Sequence, residues 1–264
     1  MNPAAFQVPS DAGSTVEAAL YRAAPEAALE ALFVFAHGAG AGHRHPFMTS
    51  YAAAFAARGV TVVTFNFPYL EQRRKTPDRA AVLEEAFRRA IVGAVNQVGA
   101  RTGRHLFIGG KSMGGRIATH VAADRGAGAP GVNNVRGEGV LGHPIAGIVL
   151  LGYPLHPPGR PDDRRDSHLP GVGSPMLFVQ GSRDTFGTPG ELEPIVSALT
   201  PPATLHVVAG GDHSFKVPKL EADAQAAIYR DVQRTIVEWI QDIIEVGPTF
   251  RSGEGGPETP RRRR

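Results

Sequence analysis

Gly110-Lys111-Ser112-Met113-Gly114 sets one serine among glycines in the spacing G-x-S-x-G. That spacing fits a nucleophile elbow, in which a serine sits on a strained turn between a strand and a helix. Small flanking residues are needed because a side chain there would collide with neighbouring backbone. The chemistry on offer is attack of a hydroxyl on a carbonyl carbon. Gly110-Lys111-Ser112 also matches the end of a phosphate-binding loop, G-x-x-x-x-G-K-[ST]. That loop requires glycine five residues before Gly110, and His105 stands there. Leu106-Phe107-Ile108, where the cradle would lie, reads as a strand, so the nucleotide reading is set aside.

A serine hydroxyl is a weak nucleophile and needs a base, and the base needs an orienting acid. Both are sought just past the carboxyl ends of the strands, where reactive groups of a parallel sheet gather. Four such loops carry chemistry: His37-Gly38-Ala39-Gly40, the turn at Ser112, Asp184 after Gly181, and His213 after Gly210-Gly211. Ser112 is the candidate nucleophile, His213 the base and Asp184 the acid. Asp212 adjoins His213, but consecutive side chains diverge, which favours Asp184. The oxyanion donors expected are the backbone N–H groups of Met113 and Ala39. His37 is expected to pack beneath the loop that carries Ala39. His43-x-His45 has the look of a metal pair but lacks a third ligand at helical or hairpin spacing, so neither a metal nor a cofactor is expected. Lys111 is expected to be a solvated lysine at the mouth of the site.

The elements that must position these residues alternate. Residues 5–22 read as an antiparallel hairpin with a turn at Asp11-Ala12-Gly13-Ser14. Ala31–Ala36 and Val60–Phe65 are continuous apolar runs of the kind buried in parallel sheets. Further strands are expected at His105–Ile108, Ile145–Tyr153, Pro175–Gln180 and Thr204–Ala209. Between and after them lie helical patterns at Pro46–Arg58, Asp78–Val98, Arg116–Ala123, Pro189–Leu199 and Glu221–Val246. The expected fold is α/β: a mostly parallel sheet with helices on both faces and an antiparallel edge hairpin. Residues 124–144, rich in Gly, Asn and Pro, are long for such a connection. No internal repeat or linker divides residues 1–246, which are read as one domain.

Composition narrows the function. With no cysteine among 264 residues, thiolate zinc sites, disulfides and cysteine nucleophiles are excluded. No apolar run reaches the about 18 residues of a membrane span, and no signal-peptide pattern opens the chain, so a cytoplasmic location is expected. The net charge of +3 resides in residues 247–264, which hold five arginines against two glutamates. That Gly/Pro/Arg-rich tail reads as disordered, and the rest of the chain offers no basic face for nucleic acid.

Taken together, His37-Gly38-Ala39-Gly40, Phe65-Asn66-Phe67-Pro68-Tyr69, Gly109 through Arg116, Gly152-Tyr153-Pro154-Leu155-His156, Gln180-Gly181-Ser182-Arg183-Asp184 and Gly211-Asp212-His213-Ser214 resemble one α/β-hydrolase group. It is related to the dienelactone hydrolases and includes the testis-expressed hydrolase-like and NSL-complex subunit proteins. The order Ser, Asp, His along the chain is that of α/β-hydrolases. The resemblance implies the α/β-hydrolase fold with Ser112, Asp184 and His213 as the triad. It implies no substrate, and the missing cysteine nucleophile departs from true dienelactone hydrolases. The expected function is a serine hydrolase of a small ester or thioester, working through an acyl-enzyme. The alternatives are an acyltransferase using the same triad, or a non-enzymatic interaction protein on a hydrolase fold.

Overall fold

A computed structural model describes residues 3–10, 14–102, 104–123 and 142–246. The turn expected at residues 11–13, most of the stretch 124–144 and the tail 247–264 lie outside the described residues. Eight strands form one sheet in the order β1-β2-β4-β3-β5-β6-β7-β8. β1 (Ala4–Pro9) pairs antiparallel with β2 (Thr15–Tyr21), and β2 pairs antiparallel with β4 (Val60–Phe65). From β4 onward every pairing is parallel, through β3 (Ala31–Ala36), β5 (His105–Lys111), β6 (Ile145–Leu151), β7 (Met176–Gly181) and β8 (Thr204–Val208).

β3, β4 and β7 are buried along their whole length. Their continuous apolar sequences leave no face for water, so both faces of the sheet must be covered. α1 (Pro46–Ala56) and α6 (Ala222–Val246) cover one face, where Phe33, Phe35, Tyr51, Phe55, Ile236 and Ile240 pack together. α3 (Ala80–Thr102), α4 (Met113–Ala123) and α5 (Pro189–Ala198) cover the other, around Val34, Phe65, Phe87, Ile91, Ile117 and Phe178. A short α2 (Pro68–Glu71) follows β4 and was not anticipated from the sequence.

The expected elements form, with adjusted ends. β5 runs on to Lys111, because Gly109 and Gly110 stay in register with Val149 and Leu150 of β6. β6 stops at Leu151, where Gly152 turns the chain at φ 62°. α3 breaks its helical geometry at Gly99 (φ 78°, ψ 165°), one residue past the predicted end. Register matters for the site. Ala36 aligns with Gly110, and Lys111 with Leu151, so the loops after β3, β5 and β6 emerge at one level.

Candidate active site

The elbow forms as its spacing requires. Ser112 follows β5 with φ 51°, a left-handed conformation that non-glycine residues seldom adopt. Two contacts hold it there. Its N–H donates to the Leu151 carbonyl (2.9 Å), and its carbonyl accepts from the Arg116 N–H (3.1 Å) as α4 begins. The turn is too tight for side chains at its flanks. A Cβ on Gly110 would lie 2.4 Å from the Ala36 carbonyl oxygen, and one on Gly114 2.5 Å from that same oxygen.

Ser112, His213 and Asp184, far apart in sequence, meet at the carboxyl edge of the sheet. His213 Nε2 lies 2.8 Å from Ser112 Oγ, and His213 Nδ1 lies 2.8 Å from Asp184 Oδ2. With the Asp184 carboxylate as acceptor, Nδ1 carries the proton and Nε2 is free to accept from the serine. Asp184 is fully buried (0 % exposed). Its charge is met by further donors: Gln180 Nε2 at 2.8 Å on Oδ2 and the Phe186 N–H at 2.9 Å on Oδ1. Gln180 is itself fixed by the Tyr153 N–H and by the Gly187 carbonyl. Asp212 takes a different task. Its Oδ1 accepts from the N–H groups of Ser214 and Lys216, shaping the loop that presents His213. The Phe186 ring lies against the His213 ring, with centroids 4.3 Å apart.

His37 is fully buried beneath the loop after β3, as the sequence suggested. Its Nδ1–H donates to the Gly38 carbonyl (2.8 Å), and its Nε2 accepts from the Phe67 N–H (3.1 Å). Burial holds its pKa down to about 4, so the imidazole is neutral and serves as a fixed bridge between two loops. Tyr69 adds a second tie, donating its hydroxyl to the Ala39 carbonyl (2.9 Å). A Cβ on Gly38 would stand 3.5 Å from Ser112 Cβ, which places this loop directly beside the serine. Ala39 and Met113 both line the cavity onto which Ser112 opens.

The two other histidines of that loop separate. His43 Nδ1 meets Thr64 Oγ1 (3.1 Å) and its Nε2 faces Glu17 (3.4 Å). His45 caps α1, accepting from the Phe47 N–H (3.2 Å). Among the described residues, no group of three or more His, Cys, Asp or Glu side chains is placed to hold a metal.

Lys111 corrects an expectation. It is only 8 % exposed, not solvated. Gly110 faces α4, so strand alternation sends the Lys111 side chain to the opposite face, toward α1 and the His213 loop. Its ammonium lies 6.0 Å from the centre of the Phe47 ring and has no hydrogen-bond partner among the described residues. It is close to the His213–Asp184 pair: a Cβ built on Gly152 would lie 3.0 Å from Lys111 Nζ and 3.3 Å from His213 Nδ1. Burial pulls its pKa down to about 8, against the opposing pull of Asp184 and Asp212.

A cavity of about 530 Å³ opens over Ser112, between the Gly38–Ala41 loop, α1, the start of α3 and the segment after β6. Three members of the neighbourhood had no assigned role in the sequence: Gln180, Arg116 and Arg165. Gln180 left a trace there, a polar residue closing the apolar run Pro175–Val179. Arg165 left none, since its loop has no periodicity.

Comparison with known proteins agrees with the topology. An α/β serine hydrolase homologue from Coxiella burnetii is 18% identical over 89% of this chain and 98% of its own, with a TM-score of 0.65. A dienelactone hydrolase from Anabaena variabilis is 19% identical over 92% of this chain and 99% of its own, at 0.64. Est1E from Butyrivibrio proteoclasticus is 14% identical over 91% and 99%, also at 0.64. At such identities the likeness is one of fold. The family described as "Alpha/beta hydrolase domain" matches residues 29–241, from the start of β3 almost to the end of α6, and the chain belongs to it.

Proposed function

We propose that this protein is a serine hydrolase of small ester or thioester substrates, with Ser112 as nucleophile, His213 as base and Asp184 as orienting acid. The observation that carries the reading is the unbroken series Ser112 Oγ, His213 Nε2, His213 Nδ1, Asp184 Oδ2, with both links at 2.8 Å. Oγ attacks the acyl carbon and passes its proton to Nε2. The carbonyl electron pair moves to oxygen, and the N–H groups of Ala39 and Met113 receive the oxyanion. Collapse breaks the bond to the leaving oxygen or sulfur, which takes the proton from Nε2. Water then adds to the acyl-enzyme, giving its proton to Nε2. Release of the acid returns a proton to Ser112 Oγ. Asp184 holds the productive tautomer and stabilises the imidazolium.

The resemblance of the motif blocks supports membership of the dienelactone-hydrolase-related group that includes the testis-expressed hydrolase-like and NSL-complex subunit proteins as part of this reading. A single catalytic domain over residues 1–246, acting in the cytoplasm, completes the proposal.

A fluorophosphonate probe tests it. The wild-type protein is expected to label on Ser112, and Ser112→Ala to lose the label entirely. His213→Ala should label more slowly by about 10²-fold or more, the range typical of a lost general base. An unlabelled wild type would favour a binding protein on a hydrolase fold. Labelling of Ser112→Ala equal to wild type would assign the reaction to another serine.

A further inference from the structure

The cavity wall next to Ser112 carries two guanidinium groups that form no ion pair among the described residues. Arg116 stands in the first turns of α4, its backbone tied to Ser112. Its Nε is sealed from solvent and has no hydrogen-bond partner among the described residues. Arg165 lies across from it on the segment after β6, and both line the cavity with Ser112 and His213. Among the described residues, neither guanidinium has a carboxylate within ion-pair distance. The two are close enough to repel: after burial, Arg165 is the main influence that lowers the Arg116 pKa.

Placement of Arg165 is enforced. Its N–H donates to the Leu155 carbonyl (2.9 Å), and its carbonyl accepts from the buried hydroxyl of Tyr153 (2.6 Å). The acids nearby have partners of their own, and Glu84 also draws on the Arg116 charge. Glu84 binds His120 Nδ1 at 2.9 Å. Asp78, the one acid among the described residues of the cavity wall, pairs with Arg74 through Oδ1 and bears on Tyr69, while its Oδ2 is buried without a hydrogen-bond partner among the described residues. Arginine does not shed its proton to relieve such a situation, so a partly buried guanidinium without an ion pair is costly until an anion meets it. Planar forks of this kind bind carboxylate or phosphate oxygens in pairs.

We propose that Arg116 and Arg165 form an anion-binding subsite, and that the preferred substrates are acyl compounds bearing a carboxylate or phosphate. This rests on the hydrolase reading for its catalytic half. The anion subsite determines specificity, and Ser112 acts on the acyl carbon held next to it.

Matched p-nitrophenyl esters test the proposal: the glutarate monoester, which carries a free carboxylate, against the neutral butyrate. The wild-type kcat/KM is expected to favour the anionic ester about tenfold or more, the worth of one charge-assisted contact. In Arg116→Gln and in Arg165→Gln that ratio should fall about tenfold, mainly through KM, and Arg116→Lys should restore part of it. Added salt should lower the wild-type ratio. Calorimetric titration of the Ser112→Ala protein with glutarate and with inorganic phosphate tests binding apart from turnover and tells the two anions apart. Binding of either that is lost in Ser112→Ala/Arg116→Gln supports the subsite. A wild-type ratio near one, or a ratio unchanged in both glutamine variants, overturns it, as does the absence of binding by both anions. Fluorophosphonate labelling separates the two ideas. A protein that labels on Ser112 without anion preference loses only the subsite. One that binds glutarate but neither labels nor hydrolyses loses only the hydrolase reading.

Discussion

Lys111 places a cation beside the His213–Asp184 pair without a hydrogen bond of its own among the described residues. Its folded-state pKa of about 8 lies below the ordinary 10.5. Below about pH 8 the lysine is charged in both states and the folded protein bears the cost of burying that charge. Between about pH 8 and 10.5 the unfolded chain still holds the proton that the folded chain has released. Stability from this group therefore rises with pH across that window and levels off above it, by about 3 kcal/mol in all. Lys111→Met should remove the rise. Urea melts near pH 7 and pH 10 are expected to find the variant more stable than wild type at the lower value, with the gap closing at the higher. Parallel behaviour of the two proteins would mean that the ammonium is better solvated than its burial implies.

At the scale of elements, the elbow is a collision avoided. A Cβ on Gly114 would lie 2.5 Å from the Ala36 carbonyl oxygen and 2.6 Å from that of His37. Both oxygens belong to the backbone, so neither can swing aside, and relief requires α4 to move away from β3. Gly114→Ala should cost about 3 kcal/mol or more, in the range of severe overpacking. Thermal melts are expected to show the loss, and the neighbouring Ser112 should label more slowly in whatever folds. A melt within a degree or two of wild type would show that the β3–α4 contact yields more easily than its geometry suggests. This same crowding explains why the elbow was readable: steric demand forces glycine, and glycine spacing survives in the sequence. The strands were readable for a related reason, since burial on both faces compels unbroken apolar runs such as Ala31–Ala36. Arg165 and the burial of Lys111 could not be read. What surrounds Lys111 comes from Phe47, Gly152 and the His213 loop, segments distant in the chain. Arg165 is set by contacts with Leu155 and Tyr153 inside a segment without period.

The whole molecule carries a consequence of burying His37 in its neutral form. His37 bridges the loops after β3 and β4 from a fully buried position, and its pKa is held from 6.5 down to about 4 by burial. Above about pH 6.5 the imidazole is neutral in both folded and unfolded states and contributes no pH dependence. As pH falls through 6.5, the unfolded chain takes up a proton that the folded chain refuses until about pH 4. Stability is therefore present above the unfolded value and drains away across this interval, by about 3 kcal/mol for the one group. His168, packed against His120 and also held near 4, pulls the same way by less, because it is only partly shielded from water. That loss is comparable to a substantial part of the total stability of an ordinary domain. Global unfolding in urea should therefore weaken steeply between pH 6.5 and pH 4. Protonation of carboxylates steepens the same limb, so His37→Leu is needed to isolate the histidine. At neutral pH this variant should be less stable than wild type, because the Gly38 carbonyl and the Phe67 N–H lose their bridge. As pH falls the gap should narrow by about 3 kcal/mol, since the variant has no proton to refuse. Parallel acid limbs for the two proteins would show that the interior admits the charged imidazole, and with it that His37 is not the rigid post holding Ala39 beside Ser112.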